Sequence, residues 1–159
     1  MKKHIKAVDA RGRKLGGETP LLCTPLVGRT RERVLAEATS VLRQKPDVIE
    51  WRVDYFGGIG DTAAVIETAR ALRGVVGKRP VIFTRRAERE GGERIAIDDA
   101  AVVELYGAVA ETRLVDFLDF EMGNDPEHLS RVRECTKQHD VRLILSYHNV
   151  SYTPGHEYL

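Results

Sequence analysis

Four segments of this chain carry ionisable residues where an apolar run would be expected. Residues 47–54, DVIEWRVD, hold Glu50 and Arg52 two positions apart. In a strand that spacing puts both side chains on one face and Trp51 and Val53 on the other. Residues 80–86, PVIFTRR, end on Arg85 and Arg86, and residues 114–122, LVDFLDFEM, repeat the two-residue spacing with Asp119 and Glu121. Residues 141–147, VRLILSY, run directly into His148, so the last strand is expected to end on a group that titrates near neutrality. Glu50 and Arg52 also have a plain structural reading as a buried ion pair, costly but known. Four consecutive strands with charge toward their C-terminal ends favour a chemical site over four separate structural pairs.

The elements that must hold these residues follow one theme. An apolar run at residues 21–27, LLCTPLV, opens a series in which each strand-like segment precedes a helix with one apolar stripe. Over residues 30–44 the stripe is Val34, Leu35, Ala38, Val41 and Leu42, at helical period. The second helix starts near Asp61, a good N-cap, and carries Val65, Ala69, Leu72 and Val76. The third covers residues 98–112, capped by Asp98 or Asp99, and the fourth starts at Pro126 with Leu129 and Val132 inward. Such alternation means parallel strands joined by helical crossovers. An open doubly wound sheet and a closed barrel both satisfy it, and both gather sites at the C-terminal ends of their strands. The loop after the first strand, PLVGRTRE, has one glycine, which disfavours a dinucleotide site. Residues 1–20, with Arg11-Gly12-Arg13 and Gly16-Gly17, form either a hairpin across the bottom of a barrel or a loose tail.

Composition narrows the function classes. The chain has 159 residues, the length of one domain, with 42% hydrophobic residues and a net charge of +1. It has no basic stripe interleaved with aromatics, which argues against nucleic acid, and no apolar run of membrane-spanning length. Behind the charges of MKKHIKAVDARGRK there is no apolar core, so neither a signal peptide nor an anchor is expected. Cys23 and Cys135 stand alone in unrelated segments and read as the free thiols of a cytoplasmic protein. His4, His128, His139 and His156 lie in terminal or helix-end positions and are expected to have no part in a site.

The motifs, taken together, resemble type I 3-dehydroquinate dehydratase. They are Glu50-Trp51-Arg52-Val53-Asp54, then Phe83-Thr84-x-Arg86-x-x-x-Glu90-Gly91-Gly92-Glu93, then Asp119-x-Glu121, then Ser146-x-His148 with Thr153-Pro154 after it. The resemblance runs from the first strand to the last residue. It implies a (β/α)8 TIM barrel, incomplete here at about five βα units, with residues 1–159 as one C-terminally truncated barrel domain. It also implies the third step of the shikimate pathway, on the route to aromatic amino acids: 3-dehydroquinate loses water to give 3-dehydroshikimate, through a lysine Schiff base, with neither metal nor cofactor. By match to the family pattern His148 is the general acid/base and Glu90 the carboxylate that orients it. Glu50, Arg52 and Arg86 match substrate-holding groups; Arg85 is not expected to be the functional arginine. Asp119 and Glu121 match the pattern without an implied role.

The same resemblance implies something missing. A barrel of this type takes about 250 residues, and the family's Schiff-base lysine sits on its sixth strand. Lys2, Lys3, Lys6, Lys14, Lys45, Lys78 and Lys137 all fall in the N-terminal segment, before strands, or at the end of a helix. The expectation is therefore a fragment of the dehydratase that is inactive alone, or a non-catalytic half-barrel that assembles with its own copy or with a complementary C-terminal half. The apolar segment at residues 141–147 would be a poor strand to leave as an open edge.

Overall fold

The computed structural model describes residues 6–155, so His4, His156, Lys2 and Lys3 lie outside the described residues. The chain opens with a two-stranded antiparallel hairpin, β1 (Val8–Ala10) and β2 (Arg13–Leu15). Its two-residue turn has positive φ at both centres, 51° at Arg11 and 81° at Gly12, the backbone of a tight hairpin turn. Of the two readings of the N-terminal stretch, the hairpin is the one formed.

Five parallel strands follow: β3 (Cys23–Leu26), β4 (Val48–Arg52), β5 (Val81–Thr84), β6 (Phe117–Glu121) and β7 (Arg142–Ser146). Between them run α1 (Arg31–Leu42), α2 (Thr62–Val76), α3 (Asp99–Thr112) and α4 (Pro126–Gln138). Each helix starts on a side chain that accepts a backbone N–H in the first turn: Thr30, Asp61, Asp98 and Asp125. For α3 the cap is therefore Asp98.

The strands lie in sequence order, β3-β4-β5-β6-β7, every neighbour parallel. A doubly wound sheet reverses its order partway. Here the crossovers all step the same way, and right-handed crossovers in one direction leave every helix on one face. Successive helices pack on one another, α1 on α2, α2 on α3 and α3 on α4. This is the wall of a barrel, and the open-sheet alternative falls.

The two faces differ as the strand period requires. Leu26, Ile49, Trp51, Val81, Phe83, Leu118 and Phe120 point under the helices, all of them buried. Five rings line up edge to face through this layer, Phe56–Trp51–Phe83–Tyr106–Phe120, with centroids 5.7, 5.4, 5.5 and 5.7 Å apart. The other face carries Glu50, Arg52, Thr84, Asp119, Glu121 and Ser146 toward its C-terminal end, above Val48, Ile82 and Phe117.

At the opposite end the hairpin is tied across the sheet. Arg11 Nε donates to Asp116 Oδ1 at 2.6 Å, and Arg13 pairs with Asp47 at 3.2 Å, each aspartate just ahead of a strand. Among the described residues no helix is long and apolar enough to cross a membrane.

Candidate active site

The strand ends differ from expectation in one respect that matters. β7 stops at Ser146, so His148 lies two residues past the strand, in the loop above it. β5 likewise stops at Thr84, and Arg85 and Arg86 start the loop that follows. A strand has a fixed alternation; a residue beyond its end can turn toward a partner on a neighbouring loop. His148 does so. Its backbone N–H donates to Glu90 Oε2 at 2.9 Å, and its ring Nδ1 lies 3.1 Å from the same oxygen. That oxygen favours the tautomer with its proton on Nδ1 and leaves Nε2, across the ring, as the basic nitrogen. The His148 side chain is 44% exposed while Glu90 is 6% exposed, so the imidazole is offered from a buried anchor.

Glu90 sits in a single 3-10 turn, Glu88–Glu90, closed by Gly91 at φ 86°. The loop is pinched at its base. A Cβ on Gly92 would stand 2.0 Å from the carbonyl oxygen of Arg86, a distance no side chain can occupy, so only glycine allows this approach. Gly92 N–H closes the loop by donating to the Ala87 carbonyl at 2.9 Å.

Beneath the loop Arg86 is buried among carboxylates from several elements. Its Nη2 donates to Asp119 Oδ1 at 3.0 Å; its Nη1 donates to Ser146 Oγ at 2.9 Å and Glu121 Oε1 at 3.3 Å, and lies 3.7 Å from Glu90 Oε2. Ser146 Oγ in turn donates to Asp119 Oδ1 at 2.8 Å. Glu121, 1% exposed, also accepts the Ala87 N–H at 2.7 Å and Arg89 Nη2 at 3.1 Å. Asp119 and Glu121, for which the sequence offers no role, thus orient Arg86 and hold the start of the Glu90 loop. Three carboxylates face two guanidiniums here, leaving the cluster net negative.

Glu50 and Arg52 share the inner face but do not pair with each other through a hydrogen bond. Glu50 Oε1 accepts from Thr84 Oγ1 at 2.7 Å. Arg52 donates twice to Asp54, Nε at 2.8 Å and Nη2 at 2.7 Å, and stacks over the Tyr55 ring at 5.1 Å. The Asp54 bond holds the Arg52 guanidinium above its ordinary range against the opposing cost of partial burial. Arg85 turns away to Asp99 at 2.8 Å. A cavity of about 410 Å³ opens beside the Glu90–His148 pair, bounded by Arg89, Glu90, Gly123, Tyr147 and His148 together with residues 149–152. Asp54 is the residue whose part sequence reasoning missed. It stands in the EWRVD run, but its partners in the Glu90 loop become evident only in three dimensions.

Comparison with known proteins places this geometry. A protein-family model described as type I 3-dehydroquinase matches residues 22–159. The 3-dehydroquinate dehydratase of Albidiferax ferrireducens is 48% identical over 155 residues, covering 97% of this chain and 59% of that protein. That of Geobacillus sp. is 44% identical over 154 residues, with the same shares covered. The crystal structure of 3-dehydroquinate dehydratase from Geobacillus kaustophilus superposes with a TM-score of 0.93 at 38% identity, over 96% of this chain and 59% of that one. A type I enzyme from Clostridium difficile gives a TM-score of 0.92 at 29% identity, over 96% and 60%. The chain thus spans about three-fifths of the length of the relatives it matches, as a partial barrel.

Proposed function

Since the chain belongs to the type I 3-dehydroquinase family, we propose that its inner face is the acid–base half of a 3-dehydroquinate dehydratase site. The observation that carries this is the Glu90–His148 pair at 3.1 Å, anchored on one side and exposed on the other. In this reading a lysine amine condenses with the ketone of 3-dehydroquinate, and the iminium draws electrons from the adjacent carbon. His148 removes the proton there and returns it to the departing hydroxyl, which leaves as water; hydrolysis of the conjugated iminium by another water then frees the lysine amine and releases 3-dehydroshikimate. Glu90 orients the imidazole. Glu50 and Arg52 meet the substrate's hydroxyls. Arg86, held by Asp119 and Glu121, forms the fixed cationic part of the wall. The net negative cluster suits chemistry that passes through a cationic iminium.

The amine comes from outside these 159 residues, and the chain alone does not turn over. What supports this is the placement of the described lysines. Lys6 lies just ahead of β1, Lys14 is in the hairpin, Lys45 and Lys78 lead into β4 and β5, and Lys137 is in the last turn of α4. We place the protein in the cytoplasm, acting without metal or cofactor. Formation of the conjugated enone product, followed by ultraviolet absorbance, tests the reading. The chain alone should give none. Mixed with a separately produced C-terminal portion of a relative it should give product, and His148→Ala should abolish that gain. Turnover by the chain alone would overturn the external lysine; product that survives His148→Ala would overturn the acid–base assignment.

A second reading, a half-barrel that pairs with its own copy or a complementary chain, is favoured by one observation. Among the described residues β7 is an unpaired edge whose Leu145 is 48% exposed, beside a groove of about 460 Å³ against α4. Sedimentation of the chain alone should show self-association; a monomer at all concentrations would remove the self-pairing form.

A further inference from the structure

We propose that Asp54 is a positioning residue that ties Arg52 to the Glu90–His148 pair by pinning the base of the loop that carries Glu90. Its side chain is fully buried and accepts four hydrogen bonds from three places. Two come from Arg52; the others come from the backbone N–H of Arg86 at 3.3 Å and of Glu93 at 3.1 Å. Arg86 and Glu93 are the two ends of the Glu90 loop, where Gly92 lets the strands of the loop close on each other. A buried carboxylate is stable only with its lone pairs filled, and here every donor belongs to the site. Among the described residues Asp54 makes no hydrogen bond or ion pair with His148. It acts through the loop: with its base pinned, Glu90 has one position, and with Glu90 fixed, His148 has one orientation. Arg52 is locked by the same carboxylate, so the substrate-holding guanidinium and the acid–base pair share one reference point.

The inference rests on the reading of Glu90 and His148 as the acid–base pair, but its test does not use turnover. A charge-assisted hydrogen bond from the His148 amide to Glu90 holds that amide proton downfield, which two-dimensional NMR of the 159-residue chain reads directly. Glu90→Gln sets the reference displacement, upfield. Asp54→Ala should move the His148 amide in the same direction, and in the Glu90→Gln background it should add nothing, because residues that act as one unit are non-additive. Asp54→Asn, which keeps the shape and one acceptor oxygen, should give a smaller displacement of the same sign and decides the matter if Asp54→Ala does not fold. A His148 amide that stays in place, or moves equally in both backgrounds, would assign Asp54 a structural role and overturn the proposal. Loss of the dehydratase reading in the His148→Ala assay would leave this displacement, and the tie it reports, standing.

Discussion

The two ends of the sheet each enclose an arginine, Arg73 half-buried and Arg86 buried, and they treat it oppositely. At the N-terminal end Arg73 donates to three backbone carbonyls, those of Leu114, Gly77 and Arg79, and to one carboxylate, Asp116. Asp116 is itself filled by Arg11 and by the Val81 N–H at 2.8 Å. Burial outweighs these partners and pushes the Arg73 guanidinium below its ordinary range. At the C-terminal end Arg86 meets three carboxylates and a hydroxyl. A carbonyl cage satisfies an arginine and does nothing else. A carboxylate cluster leaves net negative charge at the surface from which the imidazole projects. The bottom of the sheet is a closure, with a hairpin strapped across it; the top is a polarised wall.

The largest expected effect tests that contrast. Arg86→Met leaves Asp119 buried without its cation and Glu121 with Arg89 alone, which costs about 3–5 kcal/mol. Arg73→Met leaves carbonyls unpaired but Asp116 still held by Arg11 and Val81, for a smaller loss of about 1–3 kcal/mol. Denaturant titration measures both. Adding Asp119→Asn should recover part of the Arg86→Met loss, whereas adding Asp116→Asn should recover none of the Arg73→Met loss. Equal losses without recovery at either end would mean that the two arginines are equivalent struts and that the polarised wall has no energetic basis.

What the sequence shows of this and what it hides divide along range. Helix starts were legible because capping is local: Asp61 lies one residue ahead of α2 and Pro126 opens α4. The strands were legible as apolar runs, with ends displaced by a few residues: the run at 114–122 becomes β6 over Phe117–Glu121 alone, and the run into Asp54 breaks after Arg52 into a 3-10 turn. The direction of winding was not legible, since alternation suits both a barrel and an open sheet until the strand order is seen. Glu50 and Arg52 invited pairing with each other, and each took another partner, Thr84 from a neighbouring strand and Asp54 from the following turn. Partner choice across 30 or more residues, as between Arg86 and Asp119, is decided by packing, which no local pattern encodes.

A smaller effect separates neutral from charged support at the top. The Tyr106 hydroxyl bridges β5 and β6, accepting the Arg85 N–H at 2.9 Å and donating to the Asp119 carbonyl at 2.8 Å. Complete burial pushes this phenol far above its ordinary range. In the unfolded chain the phenol ionises near pH 10, so above about that value unfolding releases a proton and stability falls as pH rises. Tyr106→Phe should cost about 1–2 kcal/mol at neutral pH, from two backbone groups left unpaired. It should also flatten the alkaline decline. An unchanged decline in thermal melts would assign it to other groups.

The smallest effect asks how far the negative charge of the wall reaches down the inner face. Cys23 begins β3, on the face that carries Glu50 by strand register. Partial burial first, and the Glu50 charge second, push its thiol up to about 11. Cys135 on α4 is also raised, by burial first and then by Glu111, on the opposite side of the sheet. The thiolate is the form that reacts with iodoacetamide, so both cysteines should alkylate slowly at pH 8. Glu50→Gln removes one nearby charge and should speed Cys23 by about two- to fivefold, leaving Cys135 unchanged. Peptide mass spectrometry over a time course reads both rates in one sample. Equal rates at Cys23 in the two proteins would confine the field to the carboxylates around Arg86. A selective gain would extend it along the inner face to Glu50, the lowest carboxylate of the wall, and would make the polarised end of the sheet one continuous surface from β4 to the His148 loop.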